Sequence, residues 1–199
     1  MAYIINSTSI VKKFKKRNKR IDNIVLKDSL EKFHAKKETF LEEFDNHPVT
    51  EELSVSGTSD AGSDMLGGRS GNLRAFIGFY PSDDPVGTLR NILNENIRMI
   101  TIPDVINTSE GFDYHYNLVF PTLTEIYDQT PYPDGHSGGS WVQGIEKGIA
   151  GLSHYLFSTK KKFKNSRSGK AIQVRQTVSS ARFQPRAYIS ELLKRFKTL

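Results

Sequence analysis

The chain has no cysteine, which excludes disulfides, thiolate nucleophiles and cysteine-ligated zinc or iron–sulfur centres. Its five histidines, His34, His47, His115, His136 and His154, show no HxxxH or HxH spacing. A metal site would therefore need carboxylates gathered by folding. No apolar run approaches the roughly 18 residues that cross a bilayer. Tyr3-Ile4-Ile5 precedes the first basic cluster, the reverse of a secretory signal's order. No membrane is expected among the partners, and the missing thiols fit a cytosolic folding compartment. A phosphate loop is missing too. Ser168-Gly169-Lys170-Ala171 has alanine where such a loop needs a hydroxyl residue, and Lys164 where it needs its first glycine. There is no Gly-x-Ser-x-Gly elbow, and Ser137 and Ser140 beside His136 are sequence neighbours rather than a triad. The expectation is a protein with no catalytic residue, no metal and no cofactor.

What is present is charge, unevenly placed. The net charge of +6 divides into +7 over residues 1–20, −12 over the middle and +11 over residues 160–199. Two basic ends flanking an acidic body suit head-to-tail association of copies, or contact with an acidic polymer. The basic residues expected to face a partner or DNA are Lys12, Lys13, Lys15, Lys16, Arg17, Lys19 and Arg20, with Lys160, Lys161, Lys162, Lys164, Arg167 and Lys170. Lysines so placed grip phosphates without sequence preference, through counterion release. With 37% apolar residues but 11% aromatics, the composition fits a modest core surrounded by loops and arms rather than a disordered chain.

Periodicity divides the chain. Residues 1–21 read as a basic N-terminal arm, because dense like charge resists packing alone. Residues 22–199 read as one α+β domain. Leu26, Leu30, Phe33, Phe40, Leu41 and Phe44 recur at helical spacing and predict a long helix over about 28–45, ended before Pro48. Glu51 and Glu52 fall in the turn that follows. Residues 54–71 are a glycine-rich loop. Leu73–Phe79 reads as a strand, 86–96 as a short helix, and Arg98–Ile102 as a strand stopped by Pro103-Asp104. Phe112, Tyr114, Tyr116, Leu118 and Phe120 occupy every second position, so a strand there puts all five on one face. Another loop spans 128–140.

Ser140 and Gln143 have capping-box spacing ahead of a helix marked by Trp141, Ile145, Ile149, Leu152 and Leu156. Gly144, Gly148 and Gly151 form a small-residue stripe on that helix, which costs about 3 kcal/mol relative to alanine. Close packing of another backbone along these three glycines would offset it. Residues 160–170 form a basic loop, 171–178 a strand, and Pro185 opens a last helix running to Lys197. The architecture expected is a mainly antiparallel sheet with a long N-terminal helix and a C-terminal helix packed on one side.

Two stretches bear a resemblance. His47-Pro48-Val49-Thr50-Glu51-Glu52-Leu53 follows a helix ending Phe40-Leu41-Glu42-Glu43-Phe44-Asp45, and leads past a glycine-rich loop to Gly71-Asn72-Leu73-Arg74-Ala75-Phe76-Ile77-Gly78-Phe79. Later come Trp141-Val142-Gln143-Gly144-Ile145-Glu146-Lys147-Gly148-Ile149 and Ser166-Arg167-Ser168-Gly169-Lys170-Ala171-Ile172-Gln173. This second stretch closes on Phe183-Gln184-Pro185-Arg186-Ala187-Tyr188-Ile189. Together, over about residues 28–197, they resemble the neck or tail-completion (head–tail joining) proteins of tailed bacteriophages, with a longer glycine-rich insertion than compact members have. The resemblance implies a structural virion subunit assembled in the host cytoplasm. It implies a homo-oligomeric ring between head connector and tail, touching the connector, the tail tube or the tail terminator, with non-specific contact to DNA in the lumen. It implies no catalytic residue and no cofactor. Neck, tail-terminator and baseplate positions make similar demands on a chain and stay open, and a nucleic-acid-binding protein acting through its basic ends is the alternative.

Overall fold

Asn18 opens the longest element in the computed structural model, which describes residues 3–6, 18–55, 73–80, 82–108, 111–133, 139–147 and 186–198. Its side chain accepts the amides of Arg20 and Ile21 at 3.0 Å, satisfying two donors that a helix start leaves bare. Helix α1 then runs Lys19–Asp45, starting well before the expected residue 28 because Ile21 and Val25 continue the buried stripe of Phe33, Phe40, Leu41 and Phe44. The arm expected over 1–21 is correspondingly reduced. Lys19 and Arg20 belong to α1, and Tyr3–Asn6 forms strand β1 of the sheet.

Pro48 ends one helix and begins another. Helix α2, Pro48–Ser54, has proline at its first position, and the His47 ring Nδ1 accepts the Val49 amide at 3.2 Å. Glu51 and Glu52 therefore lie on a helix, not in a turn. A second correction concerns Leu73–Phe79, expected as a strand. Helix α3 is Leu73–Ile77, and Leu73 and Ile77, four apart, are both fully buried. Gly78 closes it at φ 102°, where the Gly78 and Phe79 amides both donate to the Arg74 carbonyl and glycine carries no steric penalty. Helix α4, Pro85–Asn96, matches its expectation. Asp84 caps it by accepting the Gly87 amide at 2.8 Å.

The sheet is built around one strand. β4, Gly111–Val119, pairs antiparallel with β1 on one edge and with β2, Arg98–Met99, and β3, Asp104–Thr108, on the other. Registers run from Tyr3↔Leu118 to Asn6↔His115, from Arg98↔Val119 to Met99↔Leu118, and from Asp104↔His115 to Thr108↔Gly111. β2 and β3 thus form one interrupted strand. The Ile100 amide still bonds the Asn117 carbonyl at 2.8 Å, the chain then bulges through residues 101–103, and pairing resumes at Asp104. Pro103-Asp104 starts a strand instead of stopping one.

As the alternation predicts, β4 turns Tyr114 and Tyr116, both buried, to the core, with Phe112, Leu118 and Phe120 packed against it. Helices cover this face: the Tyr114 hydroxyl donates to Asp22 of α1 at 2.6 Å, and Phe120 meets Phe196 edge-on at 5.6 Å.

Helix α5, Leu123–Asp128, has a complete capping box between Thr122 and Glu125. Part of the loop expected over 128–140 is held by a bridge between Pro131 and Ser140. Helix α6, Trp141–Lys147, follows. The Ser140 hydroxyl accepts the Gln143 amide at 3.2 Å and bonds Thr130 at 2.7 Å. Helix α7, Ile189–Thr198, begins later than Pro185 and buries Ile189, Leu192, Leu193 and Phe196. The strand expected at 171–178 and the loops at 54–71 and 160–170 lie wholly or mostly outside the described residues.

Candidate functional site

Polar side chains from four helices meet where α7 begins. Tyr188 precedes that helix, and its carbonyl accepts the Leu192 amide, so it stands at the cap position. A tyrosine there has no side-chain acceptor for the bare amides of the first turn. Glu146 of α6 supplies one. Its Oε1 accepts the amides of Ser190 at 2.7 Å and Tyr188 at 3.3 Å, and its Oε2 accepts the Tyr127 hydroxyl at 2.7 Å. A carboxylate at a helix N-terminus also meets the positive end of the helix dipole. Next to it the Arg186 amide donates to the Ile145 carbonyl at 3.1 Å. Burial, followed by the bond to Glu146, pushes the Tyr127 phenol well above its ordinary range.

The Tyr188 side chain reaches the other way. Its ring stacks on Phe44 at 6.0 Å and packs against His47 at 4.8 Å. Its fully buried hydroxyl shares a 2.6 Å bond with Thr50, which is 1% exposed. Burial pushes the Tyr188 phenol far up, so it stays neutral. Burial also lowers the His47 imidazole, with Arg186 and Arg195 adding to the effect and Glu191 opposing it. Neutral His47 keeps Nδ1 available as the α2 cap.

Arg74, 8% exposed, is the buried cation of this region. Its guanidinium donates to the carbonyls of Leu53 at 3.3 Å, Tyr80 at 3.2 Å and Asp83, tying α2 and α3 to the turn before α4. Phe79 leads onward to Trp141, edge-on at 5.6 Å. Each of these groups is held by its neighbours in fixed geometry, which is what joins helices.

A groove of about 440 Å³ lies between Pro121, Thr122 and Leu123 on one side and Ser190, Leu193, Lys194 and Lys197 on the other. The groove surface is mainly apolar, and Lys197 sits 5.2 Å over the Phe120 ring. Among the described residues no group of His, Asp and Glu is arranged to hold a metal ion, and no helix is long and apolar enough to cross a membrane.

Of the residues singled out from the sequence, Lys19 and Arg20 are exposed in the first turn of α1. Lys12, Lys13, Lys15, Lys16, Arg17, Lys160, Lys161, Lys162, Lys164, Arg167 and Lys170 lie outside the described residues. Gly144 is buried in α6, while Gly148 and Gly151 lie outside. The junction of Glu146, Tyr188, Thr50 and His47 was not anticipated. Its members come from three distant parts of the chain, and although all four stand in the quoted stretches, no local pattern signals that they meet. The chain matches no family model, no curated protein and no solved structure at a significant level.

Proposed function

We propose that this chain is a structural assembly subunit, acting by association rather than turnover, and that its place is the neck of a tailed phage, in a ring joining head connector to tail. The observation that carries the reading is the use made of the resembling stretches. Tyr188 bonds Thr50, packs on His47 and donates its amide to Glu146, while Arg74 donates to the Leu53 carbonyl and Phe79 meets Trp141, so the quoted stretches contact one another. Their polar groups are committed to linking helices. The acid-free basic residues at 1–20 and 160–170 then supply charge complementary to an acidic body. Those same residues favour the second reading, a non-specific nucleic-acid binder.

Light scattering and negative-stain electron microscopy of the purified chain at low and high salt separate the two. Discrete ring-shaped particles that respond to salt support the neck reading. A chain that forms no ring, yet binds duplex DNA at low salt and loses it when residues 12–20 are neutralised, moves the assignment to the second.

A further inference from the structure

The outer edge of β3 has no strand beside it among the described residues. The Asn117 carbonyl accepts from Ile100, so residue 117 turns its backbone polar groups toward the β2–β3 side. Alternation along an antiparallel strand then turns His115, Asp113 and Gly111 the same way. Their partners in β3 are Asp104, Ile106 and Thr108, which face inward. The N–H and C=O groups of Val105 and Asn107 are therefore aimed at the open edge, where no strand pairs with β3 among the described residues.

Natural edges are commonly guarded by charges, prolines or bulges; here Pro103, its bulge and Asp104 guard the start of β3, and Val105 to Thr108 carry no charge or proline. Instead the edge is flanked by exposed isoleucines: Ile106 at 53%, Ile100 at 43% and Ile102 at 79%.

We infer that a second copy of this chain docks on this edge, β3 against β3, antiparallel about a two-fold axis through Ile106. In that register Val105 of each copy exchanges both backbone bonds with Asn107 of the other. Ile106 faces Ile106 as a non-hydrogen-bonded pair, the arrangement that brings side chains closest. Asp104 falls opposite Thr108, so no like charges meet. Moving the axis to Val105 would set Asp104 against Ile106, a carboxylate on an apolar partner. A two-fold pair is closed and uses up the edge. The inference stands apart from the neck reading, since it needs only the edge itself.

The cysteine-free sequence allows a direct test. Ile106→Cys places the chain's single thiols at the axis, within disulfide reach across a non-hydrogen-bonded pair. Mild oxidation is expected to convert most of the protein to a species of twice the chain mass. Ile24→Cys, equally exposed on α1, is expected to cross-link at least tenfold more slowly. Asn107→Pro deletes an N–H that points outward, so the β3–β4 ladder and the melting temperature are expected to persist while sedimentation shifts from dimer to monomer. Three results overturn the inference. One is a wild-type monomer at tens of micromolar. Another is equal cross-linking at positions 106 and 24. The last is protection of the Val105 and Asn107 amides from exchange in a monomer, which would mean that the chain's own residues cover the edge. A ring that survives Asn107→Pro would uphold the neck reading while removing this interface. A dimer that never forms a ring does the reverse.

Discussion

Replacing Glu146 with alanine removes three acceptor contacts at once: those to the Ser190 amide, the Tyr188 amide and the Tyr127 hydroxyl. A hydrogen bond to a charged group contributes about 1.5–3 kcal/mol, and loss of a helix cap costs about 0.5–2 kcal/mol. The half-buried setting of Glu146 leaves water able to recover part of this, so Glu146→Ala is expected to cost about 2–4 kcal/mol. For a chain of this length that is a fall of roughly 5–15 °C in melting temperature. Glu146→Gln keeps a neutral acceptor in place and is expected to cost about half as much. The assay is thermal unfolding followed by the fluorescence of Trp141, the only tryptophan, which is buried on the same helix. Hydrogen exchange supplies the local readout, with α7 amides expected to lose protection before those of α1. A Glu146→Ala melting temperature within 2 °C of wild type, with α7 exchange unchanged, refutes the idea that Glu146 docks that helix.

Tyr188→Phe leaves the buried Thr50 hydroxyl without its partner and is expected to cost about 1–3 kcal/mol; adding Thr50→Val should recover part of that loss in a urea titration. His47 has a folded-state pKa below its ordinary 6.5, so its contribution is fully present above that value and is lost as pH falls through the folded pKa. Urea midpoints of wild type should therefore decline below about pH 6.5, and His47→Asn, which can still cap α2, should flatten that part of the slope. Ser29 has a buried hydroxyl with no hydrogen-bond partner among the described residues, so Ser29→Ala is expected to raise stability by about 0.5–1.5 kcal/mol, read as a higher melting temperature.

The elements legible in the sequence are those with a long, single period. α1 and β4 each show many repeats of one spacing; β4 stands where the pattern put it, and α1 ends where expected but begins at Lys19 rather than near residue 28. Short elements carried too few repeats to separate two periods. Leu73, Ala75, Ile77 and Phe79 alternate as a strand does, yet Leu73 and Ile77 are also four apart, and packing against α2 decided for helix. Proline was ambiguous in the same way. Pro48 ended α1 as expected but also opened α2, where its missing N–H costs nothing, and Pro103 preceded a strand. The start of α7 escaped because its cap comes from Glu146, 44 residues earlier than Ser190, and no local motif records so distant an acceptor.

The place of Tyr188 also sets a timetable for synthesis. Phe40 of α1 packs against Phe196 at 5.1 Å, and Thr50 of α2 bonds Tyr188. The first two helices among the described residues are thus completed by the last one. At about 5–20 residues per second, α1 and α2 wait on the order of ten seconds, with Phe40, Phe44 and Thr50 lacking their final partners. A translation product that stops before α7 keeps that junction open. Such a product leaves Phe40 without Phe196 and the Thr50 hydroxyl without Tyr188, surface that chaperones and proteases recognise in incomplete chains.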